Sequence, residues 1–324
     1  MNSLSADLNV SPGPAPGQPE SEAPALTPEQ DAADAANRPG RVALGIAYRG
    51  QNYHGWQSQP DGRTVQDKLE RALGEFVGLP RGQIVPVMCA GRTDAGVHGL
   101  NQVVHFDAPV KREIFSWVRG TNRFLPEDIA VQWALEVEPD FHARNSARSR
   151  EYVFLVRESA VRPAIEAGMC GWVFRPLDLA RMREAAALLI GEHDFSSFRA
   201  SHCQALSPVK QLRRIDIVRI GDYWRFEFEA NAFLHHMVRN IMGALVAIGA
   251  GSHSPACMAE LLARRDRTFA PPTFPAAGLY FLGPLYDQHL AVPRRTPAHD
   301  WLPQVPVELA RADESLSLLT AARP

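Results

Sequence analysis

Asp94 has the residue type and the setting in which a carboxylate could act as a nucleophile. It lies in Gly91-Arg92-Thr93-Asp94-Ala95-Gly96-Val97-His98-Gly99, two residues from Arg92. Glycine occupies three positions there, where a chain can turn tightly or approach a ligand closely. A nearby cation favours the charged form of a carboxyl by about 1–3 pKa units, which is how a nucleophilic Asp is kept ionised. The same residues also suit a plain structural turn, with Asp94 bonding neighbouring backbone groups. Local spacing leaves both readings open.

Two further segments carry side chains suited to chemistry. In Asn231-Ala232-Phe233-Leu234-His235-His236-Met237-Val238-Arg239-Asn240, the residues Leu234, Val238, Ile241, Leu245 and Ile248 step by four, three, four and three, a core-facing helical stripe. On a helix over about 233–248, Arg239 stands about 100° from that stripe, with His235 on its own face. Adjacent histidines on a helix point about 100° apart, and no HxxxH pair accompanies them, so no metal site is expected. In Phe141-His142-Ala143-Arg144-Asn145-Ser146-Ala147-Arg148-Ser149-Arg150-Glu151-Tyr152, three arginines precede an aromatic. That interleaving suits phosphate contact with base stacking, and it equally suits a solvated charge run before an edge strand. Arg112, Arg199 and Lys210 are further basic candidates.

The elements that must position these groups can be read from periodicity. Val42, Leu44, Ile46 and Tyr48 alternate, which predicts a half-buried strand ending at Gly50. Thr64 caps a predicted helix carrying Val65, Leu69, Leu73 and Phe76, which stops at Gly78. Val85–Cys89 and Val103–Phe106 read as strands flanking the loop 91–99. Tyr152–Val156 is a strand, and Asp178 caps a helix through Met182, Ala186 and Leu189. Ile215–Ile220 and Trp224–Phe228, joined by Gly221-Asp222, predict a hairpin. The expected class is α+β, with largely antiparallel sheets flanked by helices.

Composition bounds the rest. The 324 residues are 45% hydrophobic and 22% charged, globular values. The longest nearly apolar run, Ile241–Gly251, is far short of the about 18 residues a membrane span needs. Residues 1–37 hold six acids and no Lys or Arg, so they carry −6 and leave +4 on the rest of a chain whose total is −2, compatible with a polyanionic partner. Residues 1–38 contain six prolines and are expected to be disordered. Near the other end, 307–316 is a short amphipathic stretch. Cys89, Cys170, Cys203 and Cys257 are 81, 33 and 54 residues apart, without a CxxC pair. Reduced thiols and a cytoplasmic location are expected, and the acidic N-terminus fits neither a secretory signal nor a transit peptide.

Taken together, the segments resemble the TruA-type tRNA pseudouridine synthases. The resemblance runs from Tyr48 to about Tyr286, through Tyr53-His54-Gly55-Trp56-Gln57, the loop 91–98 and Phe141-His142-Ala143-Arg144. It continues through Gly191-Glu192-His193-Asp194-Phe195-Ser196-Ser197-Phe198-Arg199, residues 233–240 and Ala277-Gly278-Leu279-Tyr280. It implies that Asp94 is the nucleophile of an enzyme that isomerises uridine at positions 38 to 40 in the anticodon stem-loop of tRNA. It implies a homodimer with no metal or organic cofactor. By the same carry-over, Arg92 holds the target nucleotide out of the stack, Tyr152 packs on the uracil and takes part in proton transfer, Arg239 pairs with Asp94, and Arg144 contacts the tRNA backbone. The expected organisation is a tail to residue 40, subdomains 41–149 and 150–287 with the site in a cleft between them, and an extension 288–324. Gly99, Arg49 and Phe154 depart from the family pattern, which usually has Ala, Asp and a second Tyr there. Two other classes stay open: a nucleoside or RNA N-glycosylase, and a tRNA-binding factor without turnover.

Overall fold

The computed structural model describes residues 39–294 together with Leu302 and Pro303. The tail 1–38 and the stretch 307–316 lie outside the described residues. In chain order the elements are β1 (Arg41–Tyr48), α1 (Val65–Val77), β2 (Met88–Cys89), β3 (His98–Asp107), α2 (Ile114–Asn122), β4 (Ile129–Val137), β5 (Ala147–Glu158), β6 (Gly171–Val173), α3 (Leu179–Ala187), β7 (Gly191–Asp194), β8 (Val209–Ile220), β9 (Tyr223–Ala230), α4 (Met237–Gly249), α5 (Cys257–Arg264) and β10 (Leu279–Tyr286).

The strands form one ten-stranded sheet in the order β4-β1-β3-β10-β5-β9-β8-β7, with β2 on β3 and β6 on β5. Pairing is antiparallel except at β5–β6 and at β3–β10. The parallel β3–β10 seam is only two residue pairs long, Tyr280 with His98 and Phe281 with Gly99. Beside it, β10 runs antiparallel to β5 along most of its length. The last strand among the described residues therefore sits in the middle of the sheet.

Two large cores cover one face of each half. In the first, Val42, Leu44 and Ile46 of β1 and Val104 and Phe106 of β3 meet Leu69 and Leu73 of α1 and Trp117 of α2. In the second, Tyr152, Phe154, Phe226 and Phe228 meet Met182 of α3, Ile241 and Leu245 of α4, and Leu261 of α5. The opposite faces carry smaller clusters, one of which takes Leu302 against Val153, Leu155, Cys170, Tyr280 and Leu282. Pro303 beside it accepts a 2.9 Å hydrogen bond from the Arg225 guanidinium.

Several predicted elements need correction. Strand β1 is buried on both faces, because Ala43 and Gly45, between its larger residues, are covered as well. The loop's second flank starts earlier than periodicity suggests, since His98 and Gly99 already belong to β3. Of Val85–Cys89, only Met88–Cys89 pairs as strand. The hairpin is longer than predicted, 209–220 against 223–230. The predicted helix over 233–248 begins only at Met237. Its N-cap, His236, takes a left-handed backbone at φ 62, which no helix continues through. Thr64 does cap α1, accepting from the Asp67 N–H, and Asp178 caps α3 through the Arg181 N–H.

Candidate active site

The loop between β2 and β3 is held from three sides. Gln102 of β3 exchanges hydrogen bonds with the backbone of Gly91, donating to its carbonyl and accepting its N–H. The Tyr48 hydroxyl bonds the Thr93 hydroxyl at 2.8 Å. The Trp56 N–H donates to the Thr93 carbonyl at 3.0 Å, and the Val97 N–H donates to the Asp94 carbonyl at 3.1 Å. Gly55 sits against the same peptide at φ 89, where an added Cβ would stand 2.6 Å from the Thr93 oxygen and 3.1 Å from the Asp94 carbonyl carbon. Only glycine allows that approach without displacing the loop.

The carboxylate presented by this loop is met by three bases. Arg239 Nη1 lies 3.1 Å from Asp94 Oδ2, while its Nε donates to the Phe274 carbonyl at 3.0 Å, which fixes the guanidinium. His235 Nε2 stands 3.4 Å from Oδ1, and His236 Nε2 stands 3.5 Å from Oδ2. The side chain of Asp94 is 18% exposed and that of Arg239 is 16%. Burial works to raise the Asp94 pKa, but His235, His236 and Arg239 outweigh it and hold the carboxyl below its ordinary value. Asp94 raises the pKa of His235, whereas burial lowers that of His236.

The two histidines are the residues that sequence reasoning misplaced. Off the helix, their rings do not diverge by about 100° but lie 4.1 Å apart and converge on Asp94. One signal was available: two imidazoles and an arginine within five residues are an unusual density of bases for a core-facing segment. The left-handed backbone at His236 costs about 1–2 kcal/mol for a residue with a Cβ. Asp94, His235 and His236 offer three donor atoms within 4.8 Å of one another, a spacing that a divalent cation accepts. Arg239 already supplies positive charge at Oδ2.

The other predicted residues divide. Tyr152 on β5 lines the cavity beside Asp94, its ring edge-on to Phe233 and tilted against Phe281. Burial pushes its phenol far above the ordinary value, so it stands as a neutral hydroxyl. Arg92 and Arg144 line the same cavity, and Arg92 Nη1 reaches Gln204 at 3.4 Å across it. Lys210 lines it as well, with Nζ donating to the Ser207 and Val209 carbonyls. Arg199 instead braces the 200–205 loop through the Cys203 and Ala205 carbonyls, and Arg112 is exposed ahead of α2 and does not line the cavity. The arginine run 144–150 splits by role. Arg148 pairs with Asp287, while Arg150 is turned inward and ties together the carbonyls of Ala90, Arg144 and Asn231.

The departures from the family pattern have local explanations. An added Cβ at Gly99 would lie 2.4 Å from the Tyr48 ring, which fills that space. Phe154 is fully buried, edge-on to Phe274, in a place without need of a hydroxyl. Arg49 reaches out to Gln51.

The cavity has a volume of about 1110 Å³. Among its described lining residues, Asp94 is the one carboxylate, against Arg92, Arg144, Arg150, Lys210 and Arg239. A single ionised acid in a basic cavity fits a polyanionic substrate. A family model described as tRNA pseudouridine synthase matches residues 45–145 and 185–287, which contain the loop, the histidines and Arg239. The chain is 67% identical over 263 residues to "tRNA pseudouridine synthase A" of Methylibium petroleiphilum, covering 81% of this chain and all of that protein. It is 62% identical over 267 residues to proteins of the same name from Polaromonas sp. and Polaromonas naphthalenivorans, again over 81% of this chain and all of each relative. The chain belongs to the TruA-type tRNA pseudouridine synthase family. As a member it is an isomerase acting on uridine in tRNA, and the fold is the mixed one expected, with a largely antiparallel sheet flanked by helices. Among the described residues, no helix is long and apolar enough to cross a membrane.

Proposed function

We propose that Asp94 is the nucleophile that converts uridine to pseudouridine at positions 38 to 40 of the tRNA anticodon stem-loop, in a cytoplasmic homodimer. The observation that carries the reading is the 3.1 Å contact between Asp94 and Arg239 inside a basic cavity. Residues 41–149 contribute the carboxylate, and residues 150–287 contribute the guanidinium and the two imidazoles that keep it charged. The reaction breaks an N-glycosidic bond, turns the base and forms a C-glycosidic bond. A carboxylate splits that task by adding to the base at C6 or to the sugar at C1′. The C5 proton then leaves to solvent, N1 takes up a proton and the carboxylate is released, so atoms balance without hydrolysis or redox chemistry.

Stacking shields the base, and flipping it out costs a few kcal/mol. Arg144 and Lys210, gripping phosphates, supply binding energy for that step, and Arg92 holds the extruded nucleotide. Tyr152 offers a ring face to the uracil, and its raised pKa keeps the hydroxyl protonated and neutral. The test is tRNA tritiated at uracil C5. Release of tritium to water with the base still attached is expected, and D94N abolishes it while tRNA affinity stays within several-fold. Free uracil would indicate a glycosylase instead, and binding without either product would indicate a factor without turnover. Appreciable residual rate in D94N overturns the assignment of the nucleophile.

A further inference from the structure

Arg239 pairs with one oxygen of Asp94, which does not by itself fix the orientation of the carboxylate. An Asp side chain has a broad, roughly two-fold preference at χ2, so a carboxylate facing a cavity and touched on one oxygen is free to turn. Here both oxygens are engaged from the segment ahead of α4: Oδ1 by His235, and Oδ2 by His236 together with Arg239. We propose that His235 and His236 are positioning residues that hold the Asp94 carboxylate in one orientation, and that the left-handed backbone at His236 is the device that turns the second ring onto it. The inference rests on Asp94 being the nucleophile.

Backbone strain at a residue with a side chain persists only where the surroundings fix it, and such strain collects at working sites. The surroundings here do fix it. The His236 carbonyl accepts the Asn240 N–H at 2.9 Å, and the Leu234 carbonyl accepts the Met237 N–H at 3.0 Å. The His235 carbonyl accepts the Ala200 N–H at 3.0 Å, and its own N–H points at Cys203 Sγ at 3.4 Å. The turn is therefore tied to both α4 and the 200–203 loop. A helix continued back through His236 would satisfy the local backbone as well without strain, but it would carry the rings apart and release Asp94.

The charges facing the pair are Asp94 from the loop, Arg239 from α4, Arg267 from the segment after α5, and the Cys203 thiol. Asp94 favours a proton on both rings; it prevails at His235, whereas at His236 burial prevails, joined by Arg239, His235 and Arg267. His235 thus stands at the oxygen that Arg239 does not reach.

The test uses the full-length protein, C5-tritiated tRNA and single-turnover conditions, with D94N as the reference. H235A and H236A are each expected to slow the reaction by about tenfold to 100-fold, the cost of a misplaced reacting group, while the tRNA Kd changes less than threefold. H235Q, which keeps an N–H at reach, recovers part of the rate. In H235A the acid limb of the pH–rate profile moves to higher pH, because Asp94 loses a cation. H236G separates positioning from folding: glycine accepts φ 62, so its thermal midpoint rises above that of H236A while its rate stays as slow. Rates within twofold of the parent in both alanine variants, with D94N inactive, overturn the inference. So does an H236G rate restored along with its stability. A D94N variant that turns over normally would instead remove the nucleophile on which the inference stands.

Discussion

Replacing Gly55 with alanine tests whether the reactive loop is positioned by direct backbone packing. Gly55 has φ 89, and its missing Cβ would stand 2.6 Å from the Thr93 carbonyl oxygen and 3.1 Å from the Asp94 carbonyl carbon. Ordinary contact starts near 3.4 Å and so needs about 0.8 Å or more at the oxygen, and what must move is backbone. A non-glycine residue at positive φ costs about 1–2 kcal/mol, and forced packing costs about 1–3 kcal/mol. Some relaxation is shared between the two, so the total destabilisation is about 2–4 kcal/mol. For a domain of this size that lowers the thermal midpoint by roughly 5–15 °C.

The same shift carries Asp94 with it, because the Trp56 N–H holds the Thr93 carbonyl one peptide away. A displacement approaching 1 Å at a reacting group costs on the order of 10²-fold in rate. Gly55→Ala is therefore expected to slow single-turnover tritium release about tenfold to 100-fold at a temperature where the variant is fully folded. Differential scanning calorimetry and the tritium assay read the two effects on the same sample. A midpoint and a rate both equal to the parent's would refute the argument that this glycine sets the height of the loop.

Three other outcomes follow from the same geometry. Arg144→Ala should weaken tRNA binding and flatten the dependence of log K on log salt by about 0.7–0.9, one phosphate contact; an unchanged slope counts against a backbone contact. His235 has its pKa raised by Asp94, so its pairing contributes stability that is full below its ordinary value of about 6.5 and is lost as pH rises through the higher folded value. The difference in unfolding free energy between the parent and H235Q should accordingly close from pH 6 to pH 9, and a constant difference would contradict the pairing. Leu302→Ala should lower stability by about 2–3 kcal/mol, seen as a lower urea midpoint at constant m-value, because the side chain fills an apolar cluster behind the sheet.

Much of this architecture is legible from periodicity and caps. Thr64 and Asp178 announce their helices because a capping oxygen and the apolar spacing behind it agree. The 215–228 hairpin is legible because Gly221-Asp222 separates two alternating runs. The site was harder to read. Nothing local distinguishes Asp94 as a turn residue from Asp94 as a nucleophile; Arg92, its neighbour in sequence, turns to Gln204, and the cation that matters is Arg239, 145 residues away. The apolar stripe through Leu234 and Val238 runs continuously into α4, so periodicity carries the helix back over two histidines that lie outside it. Helical spacing cannot register a single left-handed residue held by tertiary contacts. The half-buried reading of β1 failed for a related reason: alternation reports side-chain size, and Ala43 and Gly45 are small yet covered from above.

The place of β10 in the sheet has a consequence for how the protein is made. Until residues 279–286 have left the ribosome, β3 and β5 have no strand between them and the sheet is two separate ribbons, each with an open border. Arg239 and the histidines emerge before that closing strand, but the loop they serve belongs to the other ribbon. Until β10 is in place no strand joins the ribbon that carries Asp94 to the ribbon that leads to Arg239, so the pairing of these two residues waits on the joining of the sheet.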